Sequence, residues 1–226
     1  MIELHRNTAE HLTWAAVQVG ALGAVAATTG LGPAGWGAGV GCAIVTLVLL
    51  RRSMRRHDRT SLGPADRITL VRAALTAVIA ALVVDGAGPA IIVTLGVVAL
   101  ISDLFDGLLA RRTGTVSVFG ARLDMEVDAF LILVLSAHVA VAFGVWVLSI
   151  GVMRYLFVAA SWVLPRLRGE LPPSFARKAV AAVQGIVLVA AASGVVPHAG
   201  GLVACALLLL VWSFSRDVLW LSLSQT

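Results

Sequence analysis

Eight apolar runs divide the chain, at about 12–30, 35–50, 68–85, 89–110, 118–142, 144–164, 178–196 and 199–214. A helix needs roughly 20 apolar residues to cross a hydrocarbon core about 30 Å thick. The breaks are short and rich in Gly and Pro: "GLGPAGWG" at 30–37, "DGAGP" at 85–89, "ELPPS" at 170–174 and "VPHAGG" at 196–201. Such clusters stop helices and turn the chain. The pattern predicts an all-α integral membrane protein with eight spans and no separate soluble domain. The first two runs carry many Gly and Ala residues, which suits close packing between helices.

Composition agrees with lipid as the solvent. The chain has 226 residues, of which 59% are hydrophobic and 13% charged. A soluble domain is nearer 45–50% apolar. Cys42 and Cys205 lie in apolar runs far apart, which reads as packing and not as a disulfide framework. The five histidines show no metal-ligand spacing. The polar start "MIELHRNTAEH" lacks a cleavage signature, so the first apolar run reads as a helix of the protein.

Charge orients the spans. With the N-terminus in the cytoplasm, the inner segments are 1–11, 51–67, 111–117, 165–177 and 215–226. They hold thirteen of the 17 Lys and Arg residues. The other four, Arg72, Arg122, Arg154 and Lys178, fall in spans, toward or near their cytoplasmic halves. The outer loops contain no Lys or Arg, only Asp85. This distribution follows the positive-inside rule. The net charge of +5 therefore reads as a basic cytoplasmic face against anionic lipid. Nucleic acid is not expected as a partner, since no domain is available to carry it. The expected organisation is an N-terminal extension with two transmembrane helices over 1–50 and a basic cytoplasmic or interfacial segment, "RRSMRRHDRTSLGPADR", over 51–67. Six further spans then fill 68–216, and a cytoplasmic tail 217–226.

Against this background the segment 102–130 is anomalous. It carries Asp103, Asp106, Asp124, Glu126 and Asp128, out of 12 acids in the whole chain. An intramembrane Asp costs roughly 2.5–3.5 kcal/mol on the insertion scale. If 89–111 and 118–142 are helices, Asp103, Asp106, Gly107 and Ala110 share a face about 100° wide, with Arg111 at its border. Gly120, Asp124 and Asp128 span about 80° of the next helix, while Glu126 points away. A short loop makes the two helices antiparallel neighbours, so both acidic faces meet near the cytoplasmic end. Four carboxylates repel one another unless positive charge sits between them. Arg72, Arg111, Arg112 or Arg122 can supply some of it. Divalent cations are the better partner, because carboxylate oxygens suit Mg²⁺, Mn²⁺ or Ca²⁺. Four Asp suffice for a two-metal site of the kind that clamps a phosphoryl group. Gly107 and Gly120 leave room for a ligand near the backbone.

The arrangement Asp103-x-x-Asp106-Gly107-x-x-Ala110-Arg111, eight residues, Gly120-x-x-x-Asp124-x-x-x-Asp128 resembles the signature of the class I CDP-alcohol phosphotransferase (phosphatidyltransferase) family at every fixed position. Upstream, "ADRITLVRA" is similar to the family's Asn-x-x-Thr-x-x-Arg element, here Asp66, Thr69 and Arg72. Asp66 departs from it, and reads either as a further metal or donor ligand or as a helix cap. The resemblance covers about 60–216 and leaves the first two spans outside. It implies a homodimeric membrane enzyme that transfers a substituted phosphoryl group from a CDP-alcohol, such as CDP-diacylglycerol, to an acceptor alcohol and releases CMP. It implies two divalent cations, Mg²⁺ or Mn²⁺, held by Asp103, Asp106 and Asp124. Asp128 is implied as general base and counted with the metal ligands. Gly107, Ala110, Arg111 and Gly120, with Asp66, Thr69 and Arg72, are implied to line the CDP moiety.

For the acceptor, Arg154, Arg177 and Lys178 offer a basic pocket suited to a polyol phosphate. "SFARKAVAAVQG" partly resembles the Gly-Lys-x-Lys-Thr-x-x-Gln element of glycerophosphate-using members. Lys178 and Gln184 fit it, whereas Val180 and Ala181 replace its second Lys and its Thr. The alternative for the acidic cluster is a divalent-cation transporter, since intramembrane acids also mark ion pathways. The neighbouring Arg111, Arg112 and Arg122 argue against it, because they repel a permeating cation. The tryptophans near span ends read as interfacial anchors. His138 reads as a packed or interfacial residue, and Glu126 as a helix or dimer contact.

Overall fold

The computed structural model describes residues 2–56, 63–113, 118–169 and 174–223. Among them there is no strand. The helices are α1 (Ile2–Thr29), α2 (Pro33–Arg56), α3 (Pro64–Val84), α4 (Pro89–Thr113), α5 (Val118–Phe143), α6 (Leu148–Val163), α7 (Phe175–Ala192) and α8 (Ala199–Leu223). Short 3₁₀ turns at Val145–Val147 and Pro165–Arg168 flank α6. Three of the helices open on a proline, whose fixed φ and missing N–H suit the first helical position. After α3 the chain turns at Gly86, where φ is +72°.

Each apolar run becomes one helix, and the differences lie at the ends. The first run extends back through the polar N-terminus to Ile2, and α2 carries the second through the basic residues to Arg56. The polar connection expected at 51–67 is therefore largely helical at both edges, with 57–62 outside the described residues. The eighth run continues as helix to Leu223, so residues 217–223 of the expected tail lie on α8. Eight spans were expected. Among the described residues six helices are long and apolar enough to cross a membrane, beginning at Pro33, Asp66, Gly120, Val145, Phe175 and Ala199. Over its described residues α4 has a shorter apolar stretch, Pro89–Phe105. The molecule is an all-α integral membrane protein.

The chain forms two compact units, Met1–Asp128 and Ala129–Thr226. In the first, α3 packs against α1, α2 and α4. It is the most enclosed span, 67% buried where α2 is 22%. Small residues let the backbones approach: a Cβ on Gly39 would stand 3.3 Å from the Ala81 Cβ, and one on Gly35 3.0 Å from the Ala81 carbonyl oxygen. The Gly32 N–H donates to Asp85 Oδ2 at 2.9 Å, fastening the α1–α2 turn to the end of α3. At the other end Leu50, Leu70, Ala73, Leu123 and Val127 form a buried cluster with Trp14 packed on it. Four helices meet there: α1, α2, α3 and α5.

In the second unit α7 and α8 pack along each other. Gln184 is buried and its Nε2 donates to the Ala206 carbonyl at 2.8 Å, a polar tie inside an apolar seam. Large apolar side chains such as Val45, Trp162 and Leu208 remain exposed. On a soluble protein such surface would be a liability. In a bilayer it is the lipid-facing side.

Candidate active site

The site grows from the N-terminal end of α3. Asp66, Thr69 and Arg72 recur every three residues, so a helix stacks them on one side. All three are buried, at 2%, 3% and 1% exposure. Asp66 Oδ2 accepts from the Gly63 N–H at 2.9 Å, which closes the first turn of α3 next to Pro64. Of the two readings left open for Asp66, the helix cap is therefore the one with a described contact. The Thr76 hydroxyl donates to the Arg72 carbonyl at 2.8 Å, securing the backbone one turn on.

On α5, Leu123 and Val127 enter the buried cluster of the first unit. Asp124 and Asp128 each follow one of them, and their four-residue spacing sets them one above the other on the adjoining face. The burial that fixes Leu123 and Val127 thus aims the two acids. Glu126 is exposed and does not join them. From α4, Asp103 reaches the same place. Asp103, Asp124 and Asp128 each offer one carboxylate oxygen, and these lie within 4.8 Å of one another. Asp106 lies three residues beyond Asp103 on α4. The side chains of Asp106, Ala110 and Arg111 fall outside the described residues. Gly107 follows Asp106 on α4, and Gly120 lies in the first turn of α5, half-buried.

Arg72 binds all three acids. Its Nη1 lies 3.0 Å from Asp103 Oδ1 and 2.5 Å from Asp124 Oδ1, and its Nη2 pairs with Asp128 Oδ1. A guanidinium carries five N–H donors in a planar fork, so one residue can serve several carboxylates. Three carboxylates against one guanidinium leave the cluster net negative. The acids are 40%, 37% and 38% exposed, so a cation can reach them from outside while Arg72 closes the inner side. Hard oxygen donors this close together fit a divalent cation. The donor set matches the metals expected from the sequence.

The expected acceptor residues belong to the second unit. Arg154 lies on α6, half-buried, and Lys178 on α7, exposed. Arg177 is held by an acid that the sequence did not single out: its Nη1 lies 3.4 Å from Asp217 Oδ2 on α8. Arg216 also reaches Asp217, at 3.5 Å, and Ser174 Oγ at 3.4 Å. Arg216 stacks over the Trp212 ring at 5.2 Å. The missed signal was an Asp directly after the last apolar run, which continues as helix. A buried acid there needs a cation, and Arg177 supplies one.

A comparison with protein families decides how this geometry is read. The family model described as CDP-alcohol phosphatidyltransferase matches residues 63–214, two-thirds of the chain. The chain belongs to this family. The match begins at the Gly63 cap of α3 and ends within α8, so α1 and α2 lie outside it. No match was found among curated proteins or solved structures. As a CDP-alcohol phosphatidyltransferase family member, the protein is a membrane phosphotransferase, working between a CDP-alcohol donor and an alcohol acceptor amid membrane lipids. The family uses divalent metals, and the Asp cluster is an arrangement able to bind one. Membership favours this reading of the cluster over the cation-transporter alternative.

Proposed function

We propose that the protein transfers a phosphatidyl group from CDP-diacylglycerol to a small polyol or polyol phosphate, with release of CMP, in phospholipid synthesis. The convergence of Asp103, Asp124 and Asp128 from two helices is the observation that carries this reading. Asp103, Asp106, Asp124 and Asp128 hold two divalent cations, Mg²⁺ or Mn²⁺. Bound there, the cations offset the pyrophosphate charge and stabilise the leaving CMP. Gly107, Ala110, Arg111 and Gly120, with Thr69, line the CDP moiety, and the absent side chains at the two glycines admit it close to the backbone.

Asp128 is the general base. It accepts the acceptor's hydroxyl proton as the hydroxyl oxygen attacks the phosphorus of the phosphatidyl group and the bond to CMP breaks. A carboxylate can do this only within hydrogen-bond reach of that hydroxyl. Its partial exposure at the edge of the cluster leaves that approach open. Arg154, Arg177 and Lys178 bind the acceptor's phosphate. The enzyme works as a homodimer in the cytoplasmic membrane, with the N-terminus and the active site on the cytoplasmic side. Residues 1–50 extend the six-helix core at 68–216.

The substrate assignment is tested by CMP release from CDP-diacylglycerol with Mg²⁺ or Mn²⁺ and single acceptors: glycerol phosphate, inositol phosphate, inositol, serine or phosphatidylglycerol. Release is expected with a phosphorylated polyol. Release only with a different CDP-alcohol donor would overturn the phosphatidyl assignment.

A further inference from the structure

Arg72 is at once the most buried charge in the site and the one that touches the most acids. It is 1% exposed, on the most enclosed helix of its unit, and its two terminal nitrogens reach Asp103, Asp124 and Asp128. The three carboxylates that receive it are the same three whose oxygens converge as a cation site. Thr76 holds the Arg72 backbone, and Leu70 and Ala73 on either side are locked in the buried cluster. The backbone that carries the guanidinium is thus fixed by packing beside the acids.

Two physical consequences follow. Without a metal, three carboxylates within a few ångströms repel one another, and a permanent cation bonded to all of them offsets that repulsion. Arginine stays protonated in any such setting, so its positive charge is always present beside the acids. With a metal, the same cation becomes a like charge beside it and a rival for the same oxygens. Unit charges about 4 Å apart still interact strongly when the local dielectric is well below that of water.

We propose that Arg72 is the resident counter-cation of the carboxylate cluster. It holds Asp103, Asp124 and Asp128 together before a divalent cation arrives, and it sets that cation's affinity by competing for their oxygens. This rests on the reading of the cluster as the metal site, and it gives Arg72 a role separate from contact with the CDP moiety. The energetics form a closed cycle. Removing one partner of a buried ion pair leaves uncompensated charge and destabilises the protein. A divalent cation relieves that charge, so the metal-free state loses stability and metal binding gains it.

The test is Mn²⁺ binding by the full-length protein in nanodiscs without nucleotide, followed by the electron paramagnetic resonance signal of free Mn²⁺. Arg72→Gln should bind Mn²⁺ about tenfold more tightly than wild type, equivalent to ~1.4 kcal/mol. Its metal-free Tm should fall, and saturating Mn²⁺ should raise Tm by more than in wild type. Arg72→Lys keeps the charge but loses the fork, so it should bind between the two; it carries the test if Arg72→Gln does not fold. Unchanged or weaker Mn²⁺ affinity in these variants, beside a wild type that binds, would overturn the counter-cation role and leave the metal site standing. A wild type that binds no Mn²⁺ would overturn both.

Discussion

Single residues carry the chemistry, and each stands where the helix period puts it. Asp124 and Asp128 follow Leu123 and Val127, so the burial of two apolar residues orients two acids. Asp128→Asn keeps the shape and removes the proton acceptor. It should lower the rate of CMP release by about 10²–10⁴, the usual share of general-base catalysis, while Mn²⁺ still binds, more weakly, through Asp103, Asp106 and Asp124. Kinetics and metal binding on the same preparation check this together. In the second unit Asp217→Ala strips Arg177 of its described carboxylate partner. It should destabilise the protein by about 1–3 kcal/mol, the range for losing a charged hydrogen-bond partner, read as a lower Tm. The Asp motif was legible from the sequence because acids at four-residue spacing are conspicuous in an apolar helix. Arg72 was one of four arginines offered as counter-charge, but its grip on Asp103, Asp124 and Asp128 was not legible, because these lie 31, 52 and 56 positions away and periodicity does not choose among the four. Asp217 was overlooked for a different reason: a polar end to an apolar run looks like a tail until the helix is seen to continue.

At the scale of elements, the two leading helices are built into the unit that holds the acids. Leu50 of α2 and Trp14 of α1 pack on the same cluster as Leu123 and Val127. A family-model match that begins at residue 63 gives no hint of this. The helices therefore brace the acid-bearing end of α5 from outside the family's core. Leu50→Ala should cost about 2–5 kcal/mol, as large-to-small changes in a packed core do, and lower activity with it. Val45→Ala on the exposed side of α2 should do neither. Thermal unfolding in detergent, read beside CMP release, separates the two outcomes. The run pattern located every helix, since twenty apolar residues in a row leave little choice. Helix ends were less visible because charged residues such as Arg51–Arg56 are good helix formers as well as stop signals, and only the structure shows where pairing along the backbone ends.

For the molecule as a whole, the charge pattern carries an expectation of orientation that the proposed function shares. By the positive-inside rule the basic segments at 51–56 and 165–168 are expected on the side of the anionic cytoplasmic leaflet. In a variant lacking Cys42 and Cys205, a cysteine placed at Ala87 should react with an impermeant maleimide on intact cells. One placed at Arg52 should react only after permeabilisation. The reverse pattern would put the carboxylates on the wrong side for a cytoplasmic CDP-alcohol. The central claim is that the carboxylate cluster is a metal-dependent phosphatidyl-transfer site. Its most direct test is CMP release from CDP-diacylglycerol by the purified wild type and by Asp124→Ala, with and without Mg²⁺ or Mn²⁺. Release should need both the acceptor and the metal, and it should be lost in Asp124→Ala while the variant still inserts in the membrane. Full turnover by Asp124→Ala, or by the wild type stripped of divalent cations, would contradict the claim.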